Sequence, residues 1–155
     1  MKTKTIFKLP ALLILVGFLS VLQTTGFLIF GIKPDWALFA VIGASFFVSG
    51  VWDGLLIVAF SALCLKFGSG FEGEILLFSA IAGIAVVLKK YVPLYGILNS
   101  ALFTAIGTVA FYFFTDKNLI ISLTFFKELA MNIILGMAFF ALLHFLWQNK
   151  GSIRE

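Results

Sequence analysis

The stretch LIISLTFFKELAMNIILGMAFFALLHFLW, residues 119–147, is longer than one membrane span and decides the fold class. A helix crosses the hydrocarbon core of a bilayer with about 20 mainly apolar residues. We therefore predict one transmembrane helix within this run. The part near residues 119–126 either extends that helix or lies in the membrane interface.

The composition of the whole chain points to the same class. Its 155 residues are 62% hydrophobic and 12% charged, whereas an ordinary soluble domain carries about 25% charged residues. So few charges cannot cover the surface of a water-soluble protein of this size. We predict an all-α integral membrane protein with a single transmembrane domain over residues 1–155.

Polar and glycine-rich breaks divide the chain into about six transmembrane helices in one compact bundle. A Pro in the first helical turn is favourable, and Pro93 has that position in the fifth helix. The predicted helices are 9–30, 36–49, 54–67, a fourth ending at 88, a fifth that follows Lys89 and Lys90 and ends at 114, and the sixth within 119–147.

The Lys and Arg residues predict the orientation of the bundle. With the N-terminus in the cytoplasm, seven of them fall on the cytoplasmic side and four on the other. Cytoplasmic loops carry the excess of positive charge, so we expect both termini in the cytoplasm. The net charge of +4 is then explained by topology and contact with the lipid bilayer, and no nucleic-acid partner is expected.

Small residues recur at a spacing of four, as in Gly50-x-x-x-Gly54 and Ser79-x-x-x-Gly83. In lipid, apolar burial gives little drive for helix association, so close backbone approach at small residues supplies the contact. We expect packing inside the bundle at these positions; the alternative is a face that binds a partner.

The last helix places Glu128, Asn132 and Gly136 four residues apart, nearly on one face. An acid and an amide at membrane depth are costly unless they meet partners. This face is therefore either a functional site or a set of structural hydrogen bonds, and the pattern leaves both open.

Three further polar residues have predicted structural roles. Asp53 precedes the third helix and is placed to cap its N-terminus. Gln23 and Asn99 lie inside predicted spans, where each amide could hydrogen-bond a neighbouring helix.

Catalytic motifs are absent from the sequence. It has no nucleophile elbow, HExxH motif or phosphate-binding loop, and it contains one cysteine, Cys64, and one histidine, His144. We expect no enzyme activity, no cofactor and no metal site.

Several motifs, in their order and spacing, resemble the family of the rod shape-determining membrane protein MreD. They are Gln23 in helix 1, Lys33-Pro34-Asp35 before helix 2, Gly50 to Gly54, Ser69-Gly70 with Gly73, Lys89-Lys90, and Glu128 to Asn132. The chain departs from the family near the end of helix 3, where the family usually has a glycine and then an acidic residue. Here Ala62 and Lys66 occupy those places.

The resemblance implies a six-helix fold similar to the substrate-binding component of energy-coupling-factor transporters. It also implies a noncatalytic scaffold of the cell-elongation complex, which makes peptidoglycan in the bacterial inner membrane. The implied partners are an MreC-like scaffold, the wall transpeptidase and polymerase, and an MreB-like filament.

The alternative function is a small-molecule-binding subunit of a vitamin transporter of that kind. Asn99, Asn132 and the aromatic residues could line its pocket. In such subunits helix 1 commonly contacts its partner through spaced alanines, whereas helix 1 here has only Ala11.

Overall fold

The computed structural model describes residues 8–67, 72–92, 96–115 and 117–148, and this part of the chain is all-helical. The predicted helical class is thereby confirmed. A short 3-10 helix, Lys117–Ile121, precedes the last α-helix. The six α-helices are α1 Lys8–Thr24, α2 Trp36–Ser45, α3 Val51–Lys66, α4 Glu72–Leu88, α5 Gly96–Thr115 and α6 Leu123–Gln148.

Helix α2 forms the centre of the molecule. All 10 of its residues are buried, and it contacts each of the other five α-helices. Its sequence, WALFAVIGAS, contains no charged residue, and a helix that is apolar on every side is stable only when it is surrounded. Helix α2 therefore organises the core around itself.

Glycines allow the neighbouring helices to approach α2 closely. A Cβ atom on Gly43 of α2 would lie 2.8 Å from the Phe139 ring of α6. A Cβ on Gly136 would lie 3.4 Å from the Cβ of Phe39. These separations leave little or no room for a side chain, so the two glycines set the spacing between α2 and α6.

Helix α2 is also much shorter than two of its neighbours. At 1.5 Å per residue it is about 15 Å long, compared with about 30 Å for α5 and about 39 Å for α6. The neighbouring helices consequently extend past it. We call the side at the N-terminus of α2, near Asp35, the open end of the bundle, and the side at its C-terminus, near Ser45, the closed end.

Helix α1 ends at Thr24, so the predicted end at residue 30 is wrong. Gly26 and Gly31 have positive φ angles of 69° and 76°, a conformation that stops a helix and that glycine adopts readily. Between them the chain reverses, and the backbones of Ile29 and Ile32 exchange two hydrogen bonds of 2.9 Å. The apolar side chains of this turn made it look like helix.

The turn between α2 and α3 also differs from the prediction. Helix α2 ends at Ser45 instead of residue 49, and α3 begins at Val51 instead of residue 54. Gly50 is the N-cap of α3, without a side-chain hydrogen bond, and Asp53 lies inside the first turn. Capping by Asp53 is therefore wrong, although its negative charge still interacts favourably with the helix dipole there.

The long run at residues 119–147 divides at Ser122. Its Oγ accepts a hydrogen bond of 3.1 Å from the backbone N–H of Phe125, as an N-cap does. The first part is the end of the 3-10 helix, and the remainder belongs to α6. Ser69-Gly70 of the motif and the place of Pro93 lie outside the described residues.

Helices α5 and α6 are each long and apolar enough to cross a membrane. Large apolar side chains are exposed near the middle of several helices. Examples are Ile14 of α1, Ile84 of α4, Ile106 of α5 and Ile134 of α6.

Candidate functional site

The N-terminus of α2 is capped by side-chain oxygens from two segments of the chain. Asp35 is the N-cap, and its Oδ1 accepts a hydrogen bond of 3.1 Å from the backbone N–H of Leu38. Gln23, near the end of α1, accepts one of 3.4 Å from the backbone N–H of Ala37. The first N–H groups of a helix have no partner within the helix, so these side chains supply what the backbone lacks.

Asn132 of α6 joins the same cap from across the bundle. Its Oδ1 accepts a hydrogen bond of 2.8 Å from the backbone N–H of Asp35, and its Nδ2 donates one of 3.1 Å to Thr108 Oγ1 of α5. The residue is 2% exposed. One amide thus connects α2, α5 and α6, and a buried network whose members are all paired has a single geometry.

A polar cavity opens over this cap and has two lobes, each with a volume of ≈ 240 Å³. Both lobes are lined by Gln23, Lys33, Asp35, Glu74 and Phe111, so they lie next to each other. The first lobe adds Thr24, Leu65, Ile75 and Phe78. The second lobe adds Thr108, Tyr112, Thr115, Glu128 and Asn132.

Glu128 is held at the wall of the second lobe by Tyr112. The Tyr112 hydroxyl donates a hydrogen bond to Glu128 Oε2, and the Tyr112 ring packs edge-on against Phe125 with 5.1 Å between ring centroids. The aromatic contact fixes the position of the hydroxyl. The carboxylate of Glu128 therefore has a defined position at the wall.

The electrostatics of the cavity are set mainly by its carboxyl groups. Desolvation by burial raises the pKa of Asp35 to about 6, whereas the Leu38 N–H and the charge of Lys33 act in the opposite direction. Burial penalises the charged form of an acid, and hydrogen bonds and opposite charges favour it. The burial effect is the largest, so an ionised Asp35 is held at a cost in free energy.

The closed end of α2 is capped by a cation. Lys89 Nζ donates hydrogen bonds to the carbonyl oxygens of Ser45 and of Val48, the latter at 3.1 Å. Desolvation by burial lowers the pKa of Lys89, and the charge of Asp53 opposes this change. A positive charge near the last carbonyls of a helix interacts favourably with its dipole.

The structure brings three of the predicted site residues to the cavity: Gln23, Glu128 and Asn132. Gly136 lies beside them on α6 but deeper in the bundle, where its Cβ would lie 3.1 Å from Thr104 Oγ1. The other predicted residues lie elsewhere.

The predicted packing glycines at the closed end, Gly50, Gly54 and Gly83, differ in how closely a neighbour approaches them. A Cβ on Gly54 would lie 2.5 Å from Val86 Cγ1, whereas a Cβ on Gly83 would meet only Leu55, at 3.8 Å. A Cβ on Gly50 would meet Asp53 of its own turn, at 3.1 Å. Close approach of two helices is therefore found at Gly54 and not at Gly50 or Gly83.

Asn99 does not line the cavity. It is 4% exposed, and its Nδ2 donates a hydrogen bond of 2.9 Å to the carbonyl oxygen of Val92. That contact ties the first turn of α5 to the segment that follows α4, which is a structural task.

Sequence reasoning did not select seven polar residues of the cavity as site residues: Thr24, Lys33, Asp35, Glu74, Thr108, Tyr112 and Thr115. A signal existed for Asp35, since an Asp directly before an apolar helix is a typical N-cap. In the sequence, Lys33 and Asp35 stand out only as part of the motif Lys33-Pro34-Asp35. Glu74 and Tyr112 carry no local signal, because only the tertiary fold brings them to the cavity.

The chemistry of this site is hydrogen bonding and charge. Among the residues that the structure describes, no group of three or more His, Cys, Asp or Glu side chains is placed to hold a metal ion. The lining offers carboxylates, hydroxyls, amides and aromatic rings, which are groups suited to binding.

Comparisons of this chain with protein-family models, with curated proteins and with solved structures find no match.

Proposed function

We propose that the chain is a multi-pass protein of the bacterial inner membrane, with six spans and both termini in the cytoplasm. The proposal is supported by the apolar length of α5 and α6 and by the exposed apolar side chains near the middle of α1, α4, α5 and α6. Apolar surface of this kind is typical of contact with lipid. In this orientation the open end faces away from the cytoplasm.

Within that membrane, the chain acts as a noncatalytic scaffold of the MreD type for the cell-elongation complex. The observation that carries this proposal is the 2.8 Å hydrogen bond from the Asp35 backbone N–H to Asn132 Oδ1. It joins two of the motifs on which the resemblance rests, Lys33-Pro34-Asp35 and Glu128 to Asn132, although they are far apart in sequence. The partners are an MreC-like scaffold, the wall transpeptidase and polymerase, and an MreB-like filament.

Depletion in the source bacterium tests this role. Loss of a scaffold for cell elongation should turn rod-shaped cells round, and expression of the wild-type chain should restore the rods. An Asn132→Leu chain should restore them poorly, whereas Ile134→Ala, a change at an exposed position of the same helix, should restore them fully. Normal rods after complete depletion would contradict the scaffold function.

The cavity favours a second candidate function, the small-molecule-binding subunit of a transporter. Two adjacent lobes of ≈ 240 Å³ each, with both apolar and polar walls, resemble the sites in which small ligands bind. Native mass spectrometry of the purified chain tests this function. A small molecule retained through purification, together with a co-purifying ATPase, supports the transporter; an elongation complex without an ATPase contradicts it.

A further inference from the structure

Each lobe of the cavity combines polar and apolar surface. Leu65, Ile75 and Phe78 add apolar side chains to the first lobe, and Thr115, Glu128 and Asn132 add polar groups to the second. Phe111 lines both lobes. A ligand that suits this cavity therefore has an apolar body and a polar group.

The N-terminus of α2 does not provide an anion site here. Free N–H groups at a helix N-terminus attract anions, but these donors already have acceptors within the protein. The N–H groups of Asp35, Ala37 and Leu38 donate to side-chain oxygens. The polar group of a ligand therefore meets the side chains of the cavity and not the backbone of the helix.

Those side chains carry an excess of negative charge. Three carboxyl groups line the two lobes, Asp35, Glu74 and Glu128, and one ammonium group, that of Lys33, accompanies them. Over the described part of the chain, the only ion pair is between Lys66 and Glu72, and neither of these residues lines the cavity. Since like charges in one site repel each other, a bound cation would relieve the repulsion.

We propose that this cavity binds a small organic cation, a protonated amine carried on an apolar body. The ammonium group lies in the second lobe, where Glu128 and Asp35 balance its charge. The apolar body lies against Phe78 and Phe111, whose rings also attract a cation at their faces. The inference concerns the cavity alone and does not depend on the scaffold function.

The test uses the full-length chain in a neutral detergent, with three probes of similar shape. Cyclohexylammonium carries a positive charge, cyclohexanol none and cyclohexanecarboxylate a negative one. Isothermal titration calorimetry measures the affinity of each. We expect cyclohexylammonium to bind at least about tenfold more tightly than cyclohexanol, since a hydrogen bond to a charged group is worth that much, and the carboxylate to bind most weakly.

Glu128→Gln should abolish most of the preference for the cation and leave the affinity for cyclohexanol nearly unchanged. The matched control is Glu72→Gln, which removes a carboxylate that does not line the cavity, and it should behave as the wild type does. Lys33→Gln should strengthen binding of the cation, because it removes the positive charge of the lining.

Equal affinities for cyclohexylammonium and cyclohexanol in the wild-type chain would overturn the proposal, as would tighter binding of the carboxylate. The proposal is also overturned if Glu128→Gln and Glu72→Gln change the preference for cyclohexylammonium equally. If Glu128→Gln does not fold, the ranking of the three probes on the wild-type chain and on Lys33→Gln decides the matter. Cell shape after depletion is a separate measurement, so a failure of either proposal is recognised on its own.

Discussion

The two ends of the central helix α2 are both capped by side chains, and the cavity that the structure describes lies at the open end. At the open end, oxygens of Gln23, Asp35 and Asn132 accept the backbone N–H groups. At the closed end, Lys89 donates to the backbone carbonyls. Side chains therefore cap the helix backbone in both places, and the difference lies in what surrounds the helix beyond its ends.

Aromatic rings fill that space at the closed end. Phe47, just after α2, packs against Phe140 with ring centroids 5.0 Å apart and against Trp147 at 5.5 Å. At the open end the lining includes the rings of Phe78, Phe111 and Tyr112 together with charged side chains, and a cavity remains between them. This comparison teaches that the short α2 leaves a recess and that the arrangement of the surrounding side chains decides how far the recess is filled.

The largest expected effect comes from breaking the cap at the open end. Asn132→Leu keeps the branched shape of the side chain but leaves the Asp35 N–H and the Thr108 hydroxyl without their partner. A buried polar group without a hydrogen bond costs about 1–3 kcal/mol, so we expect the free energy of unfolding to fall by about 3 kcal/mol. Thermal unfolding in detergent measures this.

Ile134→Ala is the control for Asn132→Leu, since Ile134 is on the same helix and is 62% exposed. A surface change of this kind usually alters stability by less than about 0.5 kcal/mol. Equal melting temperatures for the two variants would show that the amide does not hold the open end together.

A smaller loss is expected when the closed end is broken. Lys89→Met removes both hydrogen bonds to the carbonyl groups of Ser45 and Val48 but keeps the length of the side chain. We expect a loss of about 1–2 kcal/mol, because this end is also held by its aromatic contacts. Lys90→Met serves as the control: Lys90 is exposed and lies 4.8 Å from the centre of the Tyr91 ring, so its loss should cost about 0.5 kcal/mol. If Lys90→Met costs as much as Lys89→Met, capping by Lys89 is not what stabilises the closed end.

A third pair of variants examines how tightly the helices pack at the closed end. In Gly54→Ala the new methyl group would lie 2.5 Å from Val86 Cγ1, and overpacking costs about 1–3 kcal/mol. Part of that cost is offset by the higher helix propensity of Ala, about 1 kcal/mol, so a net loss of about 1 kcal/mol is expected. Gly83→Ala, with its nearest contact at 3.8 Å, should instead stabilise the chain slightly.

The double variant Gly54→Ala/Val86→Ala sharpens that test. Truncation of Val86 makes room for the new methyl group, so the two changes together should cost less than the sum of their separate losses. Thermal unfolding of the four chains gives the coupling. Additive losses would show that α3 and α4 shift apart without strain.

The helical class was predictable because composition and the length of the apolar runs determine it. The ends of the helices were less predictable. Residues 25–30 are apolar in a turn just as they are in a helix, and the reversal there depends on the positive φ angles of Gly26 and Gly31. Gly54 and Gly83 both follow another small residue by four positions. This shared spacing gave no sign that Gly54 contacts a neighbouring helix closely and Gly83 does not.

The candidate site was predictable only where one helix carries the pattern. Glu128 and Asn132 share a face of α6, and that spacing is visible in the sequence. Their partners are not: Thr108, Tyr112 and Asp35 come from other segments, and which of them meets Asn132 depends on how α5, α2 and α6 pack. Long-range hydrogen bonds of this kind leave no local signal in a single sequence.

A further expected effect is a pH dependence at the open end, due to Asp35. Its pKa is 3.8 in the unfolded chain and about 6 in the folded one, so between these values the folded chain binds more protons than the unfolded chain. The contribution of Asp35 to stability is therefore most favourable below pH 3.8 and falls as the pH rises toward 6.

Asp35→Asn should flatten this pH dependence, since Asn keeps an oxygen that accepts the Leu38 N–H but carries no charge. Melting temperatures between pH 4 and 7, with Glu72→Gln as a control for loss of an exposed carboxylate, measure the difference. Glu74, Glu128 and Lys33 line the same cavity and keep some pH dependence in every variant, so the comparison is between slopes. Parallel curves for the wild type and Asp35→Asn would mean that Asp35 is solvated when ionised, and the open end would then be as accessible to water as the surface of the bundle.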